Sequence, residues 1–145
     1  MISGVTFNLK DAIEKIPKLK EDNYTEWKKK LDLAFVLADV EWIKTTPCPL
    51  RPEAPVRQDG ESDADWHKRE RDNAPIELAY SIDKKTWDNT NKKCCAVIKN
   101  TIEPVIMGSI AKCDTTTEYL KKIKSQFYGS LKTYTTQIIK KLMTS

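Results

Sequence analysis

Apolar residues recur along this chain at helical rather than alternating spacing. Asn8 can act as a cap, Leu9, Ile13 and Ile16 follow at i, i+4 and i+7, and Pro17 ends the run, so residues 8–16 are predicted as a short amphipathic helix. After a turn, Asn23 with Glu26 three residues on has the form of a capping box. It opens a helix striped by Trp27, Leu31, Ala34, Phe35 and Ala38. Leu33, Val36 and Leu37 load the opposite side, which predicts burial of this helix on more than one face.

Beyond Trp42 and Ile43 the pattern breaks. Pro47, Pro49, Pro52 and Pro55 remove backbone donors and block helix, and Gly60 closes the stretch, so residues 44–61 are expected as an extended or mobile loop. Ser62 or Asp63 can cap a polar helix running through Trp66 toward Asn73. Pro75 suits the first turn of a further helix with Ile76, Leu78, Ala79 and Ile82. The spacing leaves open whether this is one kinked helix or two.

Residues 84–102 form the most regular segment, with Trp87, Asn91, Cys94 or Cys95, Ile98 and Ile102 on one stripe. Pro104 marks its end and starts a helix of one or two turns with Val105, Ile106 and Ile110. Asp114 or Thr115 caps the next helix, where Thr115 and Glu118 make a second capping box and Tyr119, Leu120, Ile123 and Phe127 form the inner stripe. Gly129 stands where a helix C-terminus favours a left-handed residue. A last helix is predicted with Leu131, Tyr134, Ile138 and Leu142.

No segment alternates apolar and polar residues over strand length, and the one Asp-Gly pair, Asp59-Gly60, lies in the proline-rich loop. The expected fold is all-α: an irregular bundle of five to seven helices with one long Pro-rich loop, forming a single domain over residues 1–145. Its core is expected around Trp27, Leu31, Phe35, Trp87, Ile98, Ile102, Leu120, Ile123 and Phe127.

Composition narrows the function. At 145 residues, 39% hydrophobic and 32% charged, the chain suits one soluble domain. It has no stretch near the roughly 18 apolar residues that a membrane span needs. With no cationic leader before an apolar run, the expected compartment is the cytoplasm, or the nucleus by diffusion. The four cysteines lack a C-x-x-C pair and His67 is the single histidine, so zinc-ligand spacing is missing, while Cys94 and Cys95 suit small core residues. His67 sits in the polar run 65–72 and is expected to face solvent. Asp63 and Asp65 point to different helix faces, and the four glycines are isolated, which excludes a phosphate loop. We therefore expect no catalytic residues, cofactor, metal or small-molecule substrate.

Charge adds one asymmetry. Residues 1–83 hold 13 Lys and Arg against 17 Asp and Glu, a net −4, whereas residues 84–145 hold 12 Lys against 4 acids, a net +8. Such a division can steer a polyanion to the basic half or bring one copy's acidic end to another's basic end. It is also compatible with a merely solvated lysine surface. Candidate nucleic-acid contacts are Lys121, Lys122, Lys124, Lys132, Lys140 and Lys141, with Lys28, Lys29 and Lys30 as further cations and Tyr128 and Tyr134 as stacking faces. Arginine is missing from the basic half, so RNA binding is expected to be weak and sequence-blind.

The order of landmarks carries a resemblance. Leu19, Asn23-Tyr24, Trp27, the apolar run 31–37, Trp42 and Thr46-Pro47 come first. Trp87, Asn91, Ile98, Ile102, Ile110, a Thr-rich cap leading into Glu118, Leu120 and Phe127-Tyr128-Gly129 follow. Over about residues 17–143 this succession resembles the amino-terminal capsid region of the Gag polyprotein of copia-type LTR retrotransposons, plant members most. The resemblance implies a helical, self-associating protein that forms a shell around element RNA, with Trp27, Leu31, Trp87, Ile98, Leu120 and Phe127 as fold determinants. A full Gag continues into a second helical domain and usually a zinc knuckle, neither of which is in this sequence. The chain is thus expected to be a domain of a longer product or a shortened host gene, with modulation of a related Gag's assembly as a further alternative. Candidate self-association residues are Tyr134, Ile138 and Leu142, building a dimer or higher homo-oligomer.

Overall fold

A computed structural model describes residues 9–144, with side chains described for residues 10–128 and 138–143. The expected cap at Asn8 and the side chains of Leu9, Gly129, Leu131, Lys132 and Tyr134 lie outside the described residues. Five α-helices follow one another: α1 (Leu9–Glu14), α2 (Tyr24–Leu37), α3 (Asp63–Asn100), α4 (Pro104–Ser109) and α5 (Thr116–Thr144). A 3-10 turn, Glu41–Lys44, lies between α2 and α3. The fold is all-α, and the described residues contain no strand, only a single parallel bridge between Leu19 and Ile102.

One expected helix break is absent and one open question is answered. α3 passes through Pro75 unbroken, and α5 passes through Gly129. An interior proline costs about 3 kcal/mol and an interior glycine about 1 kcal/mol relative to alanine. Ending a helix and nucleating another is costlier still when at least three turns continue on either side. Each long helix therefore absorbs its breaker, and the alternatives left open at Pro75 resolve to one 38-residue helix.

The ends form by local chemistry. Ser62 caps α3 by accepting from the Asp65 amide at 3.2 Å, and Thr115 caps α5 by accepting from the Glu118 amide at 3.2 Å. Asn23 does not close the expected capping box. Its Oδ1 accepts from the Lys20 amide at 2.7 Å and its Nδ2 donates to the Lys18 carbonyl at 2.9 Å, so it ties the preceding turn instead. At the other end of α2, Asp39 takes a left-handed φ of 56°. The Val40 amide then reaches the Phe35 carbonyl at 3.0 Å and the Asp39 amide reaches that of Val36 at 3.1 Å, a Schellman closure made without glycine.

The core gathers Trp27, Leu31, Ala34 and Phe35 of α2, Trp87, Cys94, Cys95 and Ile98 of α3, and Tyr119, Ile123 and Phe127 of α5. Ile16, Leu19, Ile43, Ile102, Ile106, Ile110 and Cys113 complete it, while Leu120 is half-buried and packs against it. Only one face of α2 is covered. Leu33, Val36 and Leu37 are exposed, correcting the expectation of burial on more than one face. The helix spends its stripe on α1, the 3-10 turn and the core, and no described element lies over the other side.

Two polar ties hold this core in register. The Trp27 indole donates to Thr101 Oγ1 at 3.0 Å, and that hydroxyl in turn donates to the Val97 carbonyl at 2.9 Å. Nearby, the Leu19 amide donates to the Thr101 carbonyl and the Glu103 amide to the Leu19 carbonyl, at 2.7 and 3.1 Å. At the start of α5, buried Asn91 accepts from both the amide and the hydroxyl of Thr116, at 2.8 and 2.9 Å, and donates to the Asp114 carbonyl at 2.8 Å. Asn91 thereby satisfies an orphan donor of α5 from within α3.

The proline-rich segment is a strap. The Trp87 indole donates to the Thr46 carbonyl at 2.8 Å, Arg51 lies 3.8 Å from Glu77, and Arg69 donates to the Val56 carbonyl at 3.4 Å and to Glu61 at 2.9 Å. At the 3.1 Å rise of an extended, polyproline-like chain, ten residues span about 31 Å. The 18 helical residues from Trp87 back to Arg69 span about 27 Å at 1.5 Å each. The strap thus runs antiparallel to the first half of α3, with Arg57 pairing Asp63 near its turn at Gly60 (φ 80°).

Candidate functional site

The groups capable of covalent or acid-base chemistry are scattered. Cys94, Cys95 and Cys113 are buried and Cys48 is half-buried. Burial pushes the Cys94 thiol up to about 11 and raises that of Cys95, so neither is a ready thiolate. His67 is exposed, 3.2 Å from Glu70 on the same helix. Among the described residues no group of three or more His, Cys, Asp or Glu side chains is placed to hold a metal ion.

Charged groups divide between pairs and open surface. Asp32 receives Lys28 at 2.7 Å and Lys44 at 2.6 Å. Its burial opposes ionisation, but those two hydrogen bonds and charges outweigh it and hold the carboxyl below its ordinary range. Lys28 is therefore engaged, leaving Lys29 as the exposed member of that cluster. On α5, Lys121, Lys122 and Lys124 are exposed on the side away from Tyr119, Ile123 and Phe127. Lys140 and Lys141 are exposed near its end.

Three apolar strips lie outside the core. Leu33, Val36 and Leu37 form the one on α2. On α3, Pro75, Leu78, Ala79 and Ile82 recur at i, i+3, i+4 and i+7 and are exposed, Leu78 at 63% and Ile82 at 57%. This strip faces away from the strap, which lies along the half-buried Trp66, Arg69, Asn73, Glu77 and Tyr80. On α5, Ile138, Ile139, Leu142 and Met143 form the third, with Ile139 at 51% and Met143 at 80%. The candidate self-association residues Ile138 and Leu142 belong to it. Tyr134 and Lys132 fall among the side chains outside the described residues.

The exposure of the strips on α2 and α3, and Ile139 and Met143 altogether, escape the sequence reading. Spacing shows that a position shares a face with others, but whether that face meets a neighbour depends on which elements the fold brings against it. A scan against protein-family models finds no match, nor does a comparison with curated proteins or with solved structures. No helix among the described residues is long and apolar enough to cross a membrane.

Proposed function

We propose that this chain is a structural, self-associating module of the Gag capsid type, from a retrotransposon or a host gene descended from one. The observation that carries self-association is the set of exposed apolar strips on α2, α3 and α5, outside a core already closed around Trp27 and Trp87. Strips of this kind on a folded domain mark contact surfaces. The capsid part rests on the order of landmarks from Leu19 to Gly129 together with the all-α fold. Molar mass in solution across protein concentration and ionic strength tests the reading. Mass rising with concentration is expected, and a strict monomer at millimolar concentration and low salt would overturn it.

A second reading has its own observation. Lys121, Lys122 and Lys124 present three exposed cations on one stretch of α5, suited to phosphate contacts. Three such contacts imply a log-log salt slope of about −2 for single-stranded RNA. A flat salt response, or unchanged binding after all three lysines are replaced by glutamate, would reject this reading.

A further inference from the structure

One side of α3 is turned away from both strap and core along the whole helix. Half-buried Trp66, Asn73 and Tyr80 continue the line of buried Trp87, Asn91 and Ile98. At 3.6 residues per turn, Lys68, Arg71, Lys85, Lys92 and Lys93 fall opposite that line, within about 120° of the circumference and about 38 Å of length. All five are exposed, and none makes an ion pair among the described residues. From Lys68 to Lys93 this sector contains no carboxylate. Glu70 and Asp88 lie beyond one edge and Asp72 and Asp83 beyond the other, and Asp88 is held by Lys84 at 2.7 Å. Between Arg71 and Lys85, over about 21 Å, the sector holds only Ala74, Pro75, Leu78 and Ile82. Along one side the helix therefore runs cationic, aliphatic and cationic again.

We infer that this face of α3 binds an anionic lipid surface, lying in the headgroup plane with Leu78 and Ile82 between headgroups and the five cations over their negative groups. Each lysine or arginine beside an anionic leaflet contributes about fivefold to partitioning. The two aliphatic side chains, 63% and 57% exposed, supply the second signal that peripheral binding needs beyond charge. A nucleic acid fits the face less well, because a strand laid along it would cross about 21 Å without a cation for its phosphates. The inference goes beyond the self-association reading, which keeps the strips of α2 and α5.

Vesicle cosedimentation of the full chain tests this, comparing phosphatidylcholine with an equal mixture of phosphatidylcholine and phosphatidylserine. Binding to the mixed vesicles alone, weakening as salt rises, is expected. The triple variant Lys85→Glu, Lys92→Glu and Lys93→Glu is expected to weaken it about a hundredfold or more, and Leu78→Ser with Ile82→Ser about tenfold. All five positions are exposed, and circular dichroism checks that the helix is kept. The same charge change at Lys121, Lys122 and Lys124 controls for net charge and is expected to cost about tenfold at most, since charges off the contact are screened. No binding to the mixed vesicles at low salt would overturn the inference. Equal losses from the two lysine triples would show that the vesicles sense only net charge, and would overturn it as well, as would binding indifferent to the Leu78 and Ile82 pair. If the Lys85 triple lowers RNA affinity, or the Leu78 pair lowers molar mass without lipid, while vesicle binding holds, the face serves RNA or a second copy and the inference fails.

Discussion

The two halves of α3 are built from the same backbone ladder and held by different forces. From Trp87 to Ile98 the helix sinks Trp87, Asn91, Cys94, Cys95 and Ile98 into the core. From Asp63 to Tyr80 no residue is fully buried, and what lies against the helix is the strap, with its pairs Arg69–Glu61, Arg57–Asp63 and Arg51–Glu77. Full burial of a large apolar side chain contributes about 1.5–3 kcal/mol, against 0–1 kcal/mol for a surface ion pair. The second half therefore sets whether the domain folds, and the first half is at liberty to serve contacts.

That contrast can be broken most directly at Trp27, whose ring is fully buried and whose indole proton serves Thr101. Trp27→Ala should cost about 3–5 kcal/mol, comparable to the whole stability of a small domain, and chemical denaturation should find little folded protein. Pro75→Ala asks the opposite question. It restores a helical hydrogen bond worth up to about 3 kcal/mol locally. Hydrogen exchange should slow over residues 63–83, while the global unfolding free energy changes by less than about 0.5 kcal/mol. A large global shift would mean that the two halves fold as one unit.

Asn91→Ala removes three hydrogen bonds and leaves the Thr116 amide buried without its acceptor, for an expected loss of about 2 kcal/mol in denaturation. The Asp32 cluster gives a smaller signal. The carboxyl is held below its ordinary range, so its stabilising effect is present above about pH 4 and is lost as pH falls through the lowered value. Asp32→Asn should cost about 0.5 kcal/mol at pH 7, a partly exposed pair's worth, and nothing near pH 2. Last, a thiol-reactive reagent should modify Cys48 first in the native protein, with Cys94, Cys95 and Cys113 reacting only on unfolding.

The stripes Trp27–Leu31–Phe35, Trp87–Ile98 and Ile123–Phe127 were legible because a helix packed on one side writes its period into the chain. Leu120 lies at the edge of its stripe and ends half-buried. Gly129 misled and Pro75 left the choice open for a common reason: local cost was legible, but the cooperative length of the helix around each was not. Asn23 misled because its side chain has two competing backbone targets within five residues, and the turn took it. Asp39 went unnoticed because the left-handed closure of α2 uses aspartate where glycine is the usual signal. The surfaces were the least legible part. Leu33 and Leu31 look alike in composition and differ only in what the rest of the chain brings alongside.

The strap and its helix advance at different rates, about one extended residue for every two helical ones. Their lengths are consequently coupled like the two sides of a slide rule. An insertion of one turn in α3 before Trp87 calls for about two more residues between Thr46 and Val56, and a strap shortened alone would have to bow the helix or release the Trp87 indole. Natural length variants, if they keep both anchors, should change the two segments together in that ratio.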